Sequence, residues 1–272
     1  MKKIVLLAIS LLTMHVYAGN YTTHAGGRDA ALSGATICVN DAFSVFNNPA
    51  AGAITPGLRL AAALDYRFGM KQLATNSFAF SYGKEKIGTF GLSFSQFGFS
   101  LYNEQIATLS YARVLSEKLS GGMQFHYIRV NLGDEYYGNK GALAASLNMF
   151  YKTSETFSMG FNVFNLTNTS LAEYNNERIP TIIRVGARWQ PNIKVAVNVE
   201  TEKNLDQPNQ LKLGVEYRPL KQLSVMVGVK GKPAAFSFGV GYALNKWRID
   251  FASSYHPVLG YSPVVGLSYG IN

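Results

Sequence analysis

Along most of this chain the side chains alternate, one residue at a time, between large apolar groups and small or charged ones. In residues 235–244, Phe236, Phe238, Val240, Tyr242 and Leu244 take one parity and Ser237, Gly239, Gly241 and Ala243 the other. Residues 211–218 set Leu211, Leu213, Val215 and Tyr217 against Lys212, Gly214, Glu216 and Arg218. Residues 247–255 set Trp247, Ile249, Phe251 and Tyr255 against Arg248, Asp250, Ala252 and Ser254. A period of two belongs to the β-strand, whose successive side chains leave opposite faces of the sheet. From residue 57 onward about fourteen such segments follow one another.

The polar parity separates two all-β forms. A soluble sandwich buries its apolar faces against each other and turns polar faces to water. Here the polar parity is mostly Ser, Gly and Ala with a minority of opposite charges, a filling suited to a narrow closed interior. The apolar parity then faces lipid. Charged residues make up 15% of the chain, against about 25% in an average soluble domain. The expectation is a transmembrane antiparallel β-barrel of about fourteen strands over residues 57–272, with a soluble exported β protein as the alternative.

The links between segments support the barrel. Tight links at 84–86, 116–117, 153–156, 191–192, 219–221 and 245–246 alternate with longer ones at 69–75, 98–103, 131–139, 166–180, 203–209 and 256–262. The link at 231–233 is the short exception. Outer-membrane barrels combine short periplasmic turns with longer external loops and favour even strand counts, so both ends of the barrel are expected in the periplasm.

The first residues read as an export signal. Lys2 and Lys3 precede the apolar run 4–14, and Val16-Tyr17-Ala18 resembles a cleavage site. The signal peptide is placed at residues 1–18. Its apolar run is too short to cross a bilayer, and no later stretch reaches the ~18 apolar residues a helical span requires. Only helices and closed barrels satisfy their backbone groups in hydrocarbon. The expected location is the outer membrane of a Gram-negative bacterium, amid lipid and lipopolysaccharide. The formal charge of +9 falls to +7 without Lys2 and Lys3, and the basic residues are scattered rather than clustered, which argues against nucleic acid. Cys38 is the single cysteine and reads as a small buried apolar residue.

Residues 19–56 do not alternate. They hold Gly26-Gly27-Arg28-Asp29-Ala30-Ala31-Leu32-Ser33-Gly34-Ala35 and then Asn40-Asp41-Ala42-Phe43-Ser44-Val45-Phe46-Asn47-Asn48-Pro49-Ala50. Small side chains and a turn-forming Asn-Asn-Pro suit a plug inside the barrel; a free periplasmic tail is the alternative. These residues resemble the start of the PorV/PorQ proteins of Bacteroidetes, within the wider group of FadL-like long-chain fatty-acid transporters. The matching positions are Arg28, Ala31, Leu32, Gly34, Asp41, Asn48, Pro49 and Ala50. One departure is Asn47, which separates Phe46 from the Asn-Pro-Ala turn. The resemblance implies a plugged barrel. It also implies one of two roles: a binding or scaffold component of type IX protein secretion, with secretion components or cargo as partners, or a FadL-like transporter of small hydrophobic molecules. The second role predicts an apolar pocket beside the plug and a lateral gap between strands.

Reactive constellations are not expected. His24, His126 and His256 show no metal-ligand spacing, and no glycine-rich phosphate loop is present. No enzyme, cofactor or metal is anticipated. The charges expected in the lumen are Arg59, Asp65, Arg67, Arg184, Arg188, Lys194, Glu200, Lys212, Glu216, Arg218, Arg248 and Asp250. They would line a selective channel or, the preferred reading, form ion pairs that grip the plug. Asp134, Glu135, Tyr136 and Tyr137, together with Leu171, Tyr174 and Ile179 of the longest loop, are the candidate partner surface, because loops on a rigid scaffold commonly carry function.

Overall fold

The computed structural model describes residues 24–133, 139–172, 177–205, 207–231 and 234–271. The expected signal peptide, Asp134 to Tyr137 and Tyr174 lie outside them. Among the described residues no helix is long and apolar enough to cross a membrane.

Fourteen antiparallel strands close into one barrel. In chain order they begin with β1 (Gly57–Tyr66), β2 (Ala74–Lys84), β3 (Gly88–Phe99), β4 (Tyr102–Val114), β5 (Leu119–Leu132), β6 (Asn139–Lys152) and β7 (Phe157–Phe164). A small hairpin, β8 (Ser170–Ala172) and β9 (Glu177–Arg178), stands outside the barrel ladder. The wall resumes with β10 (Ile182–Trp189), β11 (Val195–Asn204), β12 (Gln210–Tyr217), β13 (Leu223–Lys230), β14 (Ala235–Leu244), β15 (Trp247–His256) and β16 (Gly260–Ile271). Closure comes from β1 pairing with β16 over Leu58↔Ile271 to Asp65↔Val264. No strand edge is left facing lipid there, which is the condition for β structure in hydrocarbon.

The two parities of the sequence take the two faces. Phe78, Phe80, Leu92, Leu109, Phe125, Phe236, Phe238 and Phe251 point outward, and Ser77, Ser81, Ser93, Ser110, Ser146, Asn148 and Ser237 are buried within. Aromatic pairs mark both rims: Trp247 with Tyr269 and Phe90 with Tyr111 at the tight-turn end, Tyr255 with Tyr261 at the other. Amphipathic rings suit the level of lipid headgroups.

The wall is uneven. β5 and β6 each run 14 residues, whereas β7 and β10 run 8. β6 pairs with β7 only from Leu147↔Val163 to Lys152↔Ser158. Above that point the loop after β7 takes over the free edge of β6. Leu166 N donates to Ala145 O at 2.8 Å and Thr169 Oγ1 to Leu143 O at 2.8 Å. Asn165, in the left-handed region at φ 53°, holds that loop. Its Nδ2 donates to Ile179 O (2.7 Å), and its Oδ1 accepts from Thr169 N (3.1 Å).

Residues 24–53 lie inside the barrel and are almost wholly buried. They form three short helices, Gly27–Ala31, Ser44–Asn47 and Pro49–Gly52. Inward glycines make room for them. A Cβ on Gly228 of β13 would stand 2.6 Å from Leu32 C, and one on Gly239 of β14 2.6 Å from Ala31 Cβ. The same close approach explains why small residues dominate the inner parity.

Two outcomes follow from these faces. Phe238→Arg places a charge on the outer band and should weaken folding into bilayers by about 2–4 kcal/mol, measured by urea titration in lipid vesicles. Gly228→Val should displace residues 31–33 while the barrel still forms, seen as proteolytic cleavage of the N-terminal segment with an intact heat-modifiable barrel band.

Candidate functional site

The lumen is where this chain concentrates its chemistry. Proline at position 49 pushes Asn48 into extended backbone (φ −165°, ψ 97°). From there the Asn48 side chain caps the Pro49–Gly52 helix by accepting from Ala50 N at 3.0 Å. Its Nδ2 donates to Ile37 O (2.9 Å) and to Met149 O of β6 (3.1 Å). Ala50 O accepts from Ser120 Oγ, and Gln124 Nε2 donates to Val45 O. Asp41 accepts from Phe43 N and Ala42-Phe43 leads into the second helix. The Asn-Pro-Ala turn is therefore a joint between the N-terminal segment and the β5–β6 wall.

The opposite wall holds the segment by charge. Glu200 Oε2 accepts from Thr36 N (3.1 Å) and Ile37 N (3.0 Å), while its Oε1 accepts from Arg184 Nε (2.8 Å). Arg184 Nη1 donates to Asn47 O at 3.2 Å. Lys212 Nζ reaches Glu202 (2.7 Å), Glu200 (3.5 Å) and His24 Nε2 (3.1 Å). His24 Nδ1 lies 3.0 Å from Asp29 Oδ1, which also accepts from Thr36 Oγ1. Near the tight turns, Glu216 accepts from Arg28 (2.6 Å), Arg188 (3.5 Å) and Arg218 (3.1 Å). Arg59 donates to Asn40 Oδ1 (2.7 Å) and Thr55 O (2.9 Å), tying down the end of the segment.

Other expected lumen charges do different things. Arg248 and Asp250 pair with each other, at 2.7 Å, and Asp250 backs onto Gly27. Among the described residues Asp65 and Arg67 form no hydrogen bond or ion pair with the segment. With Lys230, Phe68 and His256 they line an outer vestibule of about 420 Å³ above it. Arg67 lies past the end of β1, which stops at Tyr66, and sits over the Phe97 ring at 5.4 Å. Lys194 is a correction: it is exposed in the turn before β11, because Asn192 Oδ1 accepts from Lys194 N and Val195 N and closes that turn.

An apolar patch interrupts the polar lining. Ile106, Ile128, Val130, Ala142, Ala144, Phe164 and Ile182 face inward on the outer half, beside the low wall, and Leu171 and Ile179 cover them. Leu171 is thus also corrected: it is 7% exposed, turned into this patch rather than offered to a partner. Alternating parity had concealed the patch, because these apolar residues sit on the parity that elsewhere is small and polar.

His24, Glu200 and Glu202 bring ligand atoms within 4.8 Å of one another, a cluster the sequence spacing had not suggested. The Lys212 ammonium already provides their cation. His126 lies mid-way along β5 and is buried between Thr108 Oγ1 (2.9 Å) and Ser146 Oγ (2.8 Å). The adjoining cavity is about 10 Å³, room for at most one water. The run Gly266-Leu267-Ser268-Tyr269-Gly270 has the spacing of a nucleophile elbow, but it lies within β16, with no strand-to-helix turn to present the serine. Burial and the Glu200 charge push the Cys38 thiol up to about 12, so the thiolate is suppressed.

No family model and no curated protein matches this chain. Solved structures do match its fold. A TodX monoaromatic hydrocarbon channel carrying the ΔS2S3 change superposes with a TM-score of 0.69 at 12% identity, over 91% of this chain and 99% of that one. The toluene transporter TodX of Pseudomonas putida gives 0.66 at 11%, over 90% and 97%. A FadL homologue from Pseudomonas aeruginosa gives 0.64 at 13%, over 94% and 100%. At this identity the likeness is one of fold, shared with the TodX channel and the FadL homologue. PorV/PorQ membership has no such support.

Asp29 yields a pH dependence. Burial opposes its charge, but His24, the Thr36 hydroxyl and Arg184 outweigh burial and hold the carboxyl below its ordinary value. A depressed carboxylate contributes stability above its unfolded value of about 3.9 and loses it as pH falls through the folded value. Asp29→Asn should cost about 1–3 kcal/mol at pH 7. The difference from the unmodified protein should shrink below about pH 4, read from thermal unfolding in detergent.

Proposed function

We propose that this chain is an outer-membrane channel for small hydrophobic molecules, shut in this conformation by residues 24–53 acting as a plug. The observation that carries the reading is the apolar patch Ile106, Ile128, Val130, Phe164 and Ile182, which groups bulky apolar side chains on the outer half of a wall whose inner face is elsewhere rich in Ser, Asn and paired charges. A water-filled pore has no use for such a surface. An apolar solute gains from it in proportion to the area removed from water. The patch lies where the ladder between β6 and β7 is incomplete, so wall and lining are both adapted at one place. A pocket there is packed shut by Leu171 and Ile179, and the solute path requires the β8–β9 hairpin to lift.

The fold likeness to channels named for monoaromatic hydrocarbons and toluene supports the same reading. It lends nothing to the secretion-scaffold role, and no contact in the lumen favours that role. The lumen charges act in this proposal as fastenings of the plug. Arg28, Arg184, Glu200, Lys212 and Glu216 hold it, and buried pairs of this kind cost about 3–5 kcal/mol when one partner is removed.

The test uses Gram-negative cells whose lipopolysaccharide leaflet slows apolar solutes. Expression should raise toluene uptake, and Ile128→Asn, which puts an unpaired amide into the patch at a cost of about 1–3 kcal/mol, should lower it by roughly tenfold. Uptake no faster than in cells lacking the protein would refute the proposal, as would an Ile128→Asn variant that transports equally well.

A further inference from the structure

The tight-turn end of the lumen carries more positive charge than its own acids balance. Three guanidinium groups from three separate elements converge on Glu216: Arg28 at 2.6 Å, Arg188 of β10 at 3.5 Å and Arg218, just past β12, at 3.1 Å. Asp41 adds one carboxylate, 3.5 Å from Arg28, while Lys152 and Glu155 at the same end pair with each other at 2.7 Å. Glu216, Arg28 and Arg188 are buried, where an unbalanced charge has lost its hydration and requires a partner. Among the described residues Arg28 Nε has no hydrogen-bond acceptor, although Arg28 is only 7% exposed. The outer cluster is nearer to balance: there Glu200, Glu202 and Asp29 face Arg184, Lys212 and His24.

All three arginines border one cavity of about 280 Å³ between the N-terminal segment and the wall, and Ile54, Phe150 and Phe157 form its apolar side. It lies at the opposite end of the barrel from the outer vestibule. Its lining shares no residue with the apolar patch. Guanidinium forks match the planar geometry of a carboxylate and hold their charge at any working pH. A neutral hydrocarbon would leave Arg28 Nε unanswered.

We infer that this cavity is a binding site for a small organic anion, its carboxylate held by Arg28, Arg188 and Arg218 and its apolar body resting on Phe150 and Phe157. The anion supplies the missing negative charge and gives Arg28 Nε an acceptor. Because Arg28 belongs to the N-terminal segment while Arg188 and Arg218 belong to the wall, a bound anion also ties the two together. The site does not depend on transport, and its occupancy is read with the barrel closed.

The experiment is calorimetric titration of the full-length protein in a non-ionic detergent, with sodium benzoate as probe and toluene as its neutral counterpart. Benzoate should bind saturably at one site per barrel and toluene should not compete for it. Arg218→Gln, on a partly exposed rim residue, should weaken benzoate about tenfold, equivalent to ~1.4 kcal/mol. Arg218→Lys should retain part of that affinity. Lys246→Gln, an exposed charge in a turn at the same end, should leave it unchanged. Absence of saturable benzoate binding would overturn the inference. So would competition by toluene, or an equal loss in Arg218→Gln and Lys246→Gln, which would mark a diffuse attraction rather than a site.

Discussion

A strand crossing hydrocarbon can place its N–H and C=O groups only on a neighbouring strand. That requirement closes β1 onto β16 and makes the rest follow. A closed sheet has an inside and an outside, and a period of two sends alternate residues to each. The outside is Phe, Leu, Val and Tyr because lipid surrounds it. The inside is a narrow tube whose polar groups have no bulk water, so each needs a partner or a tenant. The N-terminal segment is that tenant, and the buried serines, asparagines and charges of the wall are satisfied largely through it or through one another.

The segment is fastened by two unlike means. On the β5–β6 side neutral hydrogen bonds from Ser120, Gln124 and Asn48 dominate. On the β10–β12 side ion pairs dominate, through Arg184, Glu200, Lys212 and Glu216. Charge also differs along the axis, with acids and bases matched towards the outer vestibule and arginines gathered towards the tight turns. Shape adds a third asymmetry: β7 and β10 are short, and at their outer ends the interior becomes apolar. The proposed path for hydrophobic solutes, the plug and the proposed anion site occupy these separate parts of one tube.

Much of this was legible. The alternation in 211–218 and 235–244 placed lipid-facing and lumen-facing residues correctly, since a strand allows no other arrangement. The rhythm of tight and long links matched the turns between strands. The β8–β9 hairpin escaped, because a strand pair of two or three residues leaves no periodic trace. The inner apolar patch escaped because Ile106, Ile128 and Val130 look lipid-facing until the register is known. Lys194 was misassigned because alternation was carried past the strand end into a turn closed by Asn192.

By itself the sequence determined that the chain forms about fourteen strands of two-faced character, with a non-alternating segment ahead of them. Those properties depend on neighbours in the chain, and local spacing encodes them. Only the tertiary structure decided which charges meet. Arg28 finds Glu216 at a separation of 188 residues, and Thr36 finds Glu200 at 164. Such pairings depend on how far the strands shear around the barrel and where the segment lies within it, and neither quantity is written in the order of residues along any one strand.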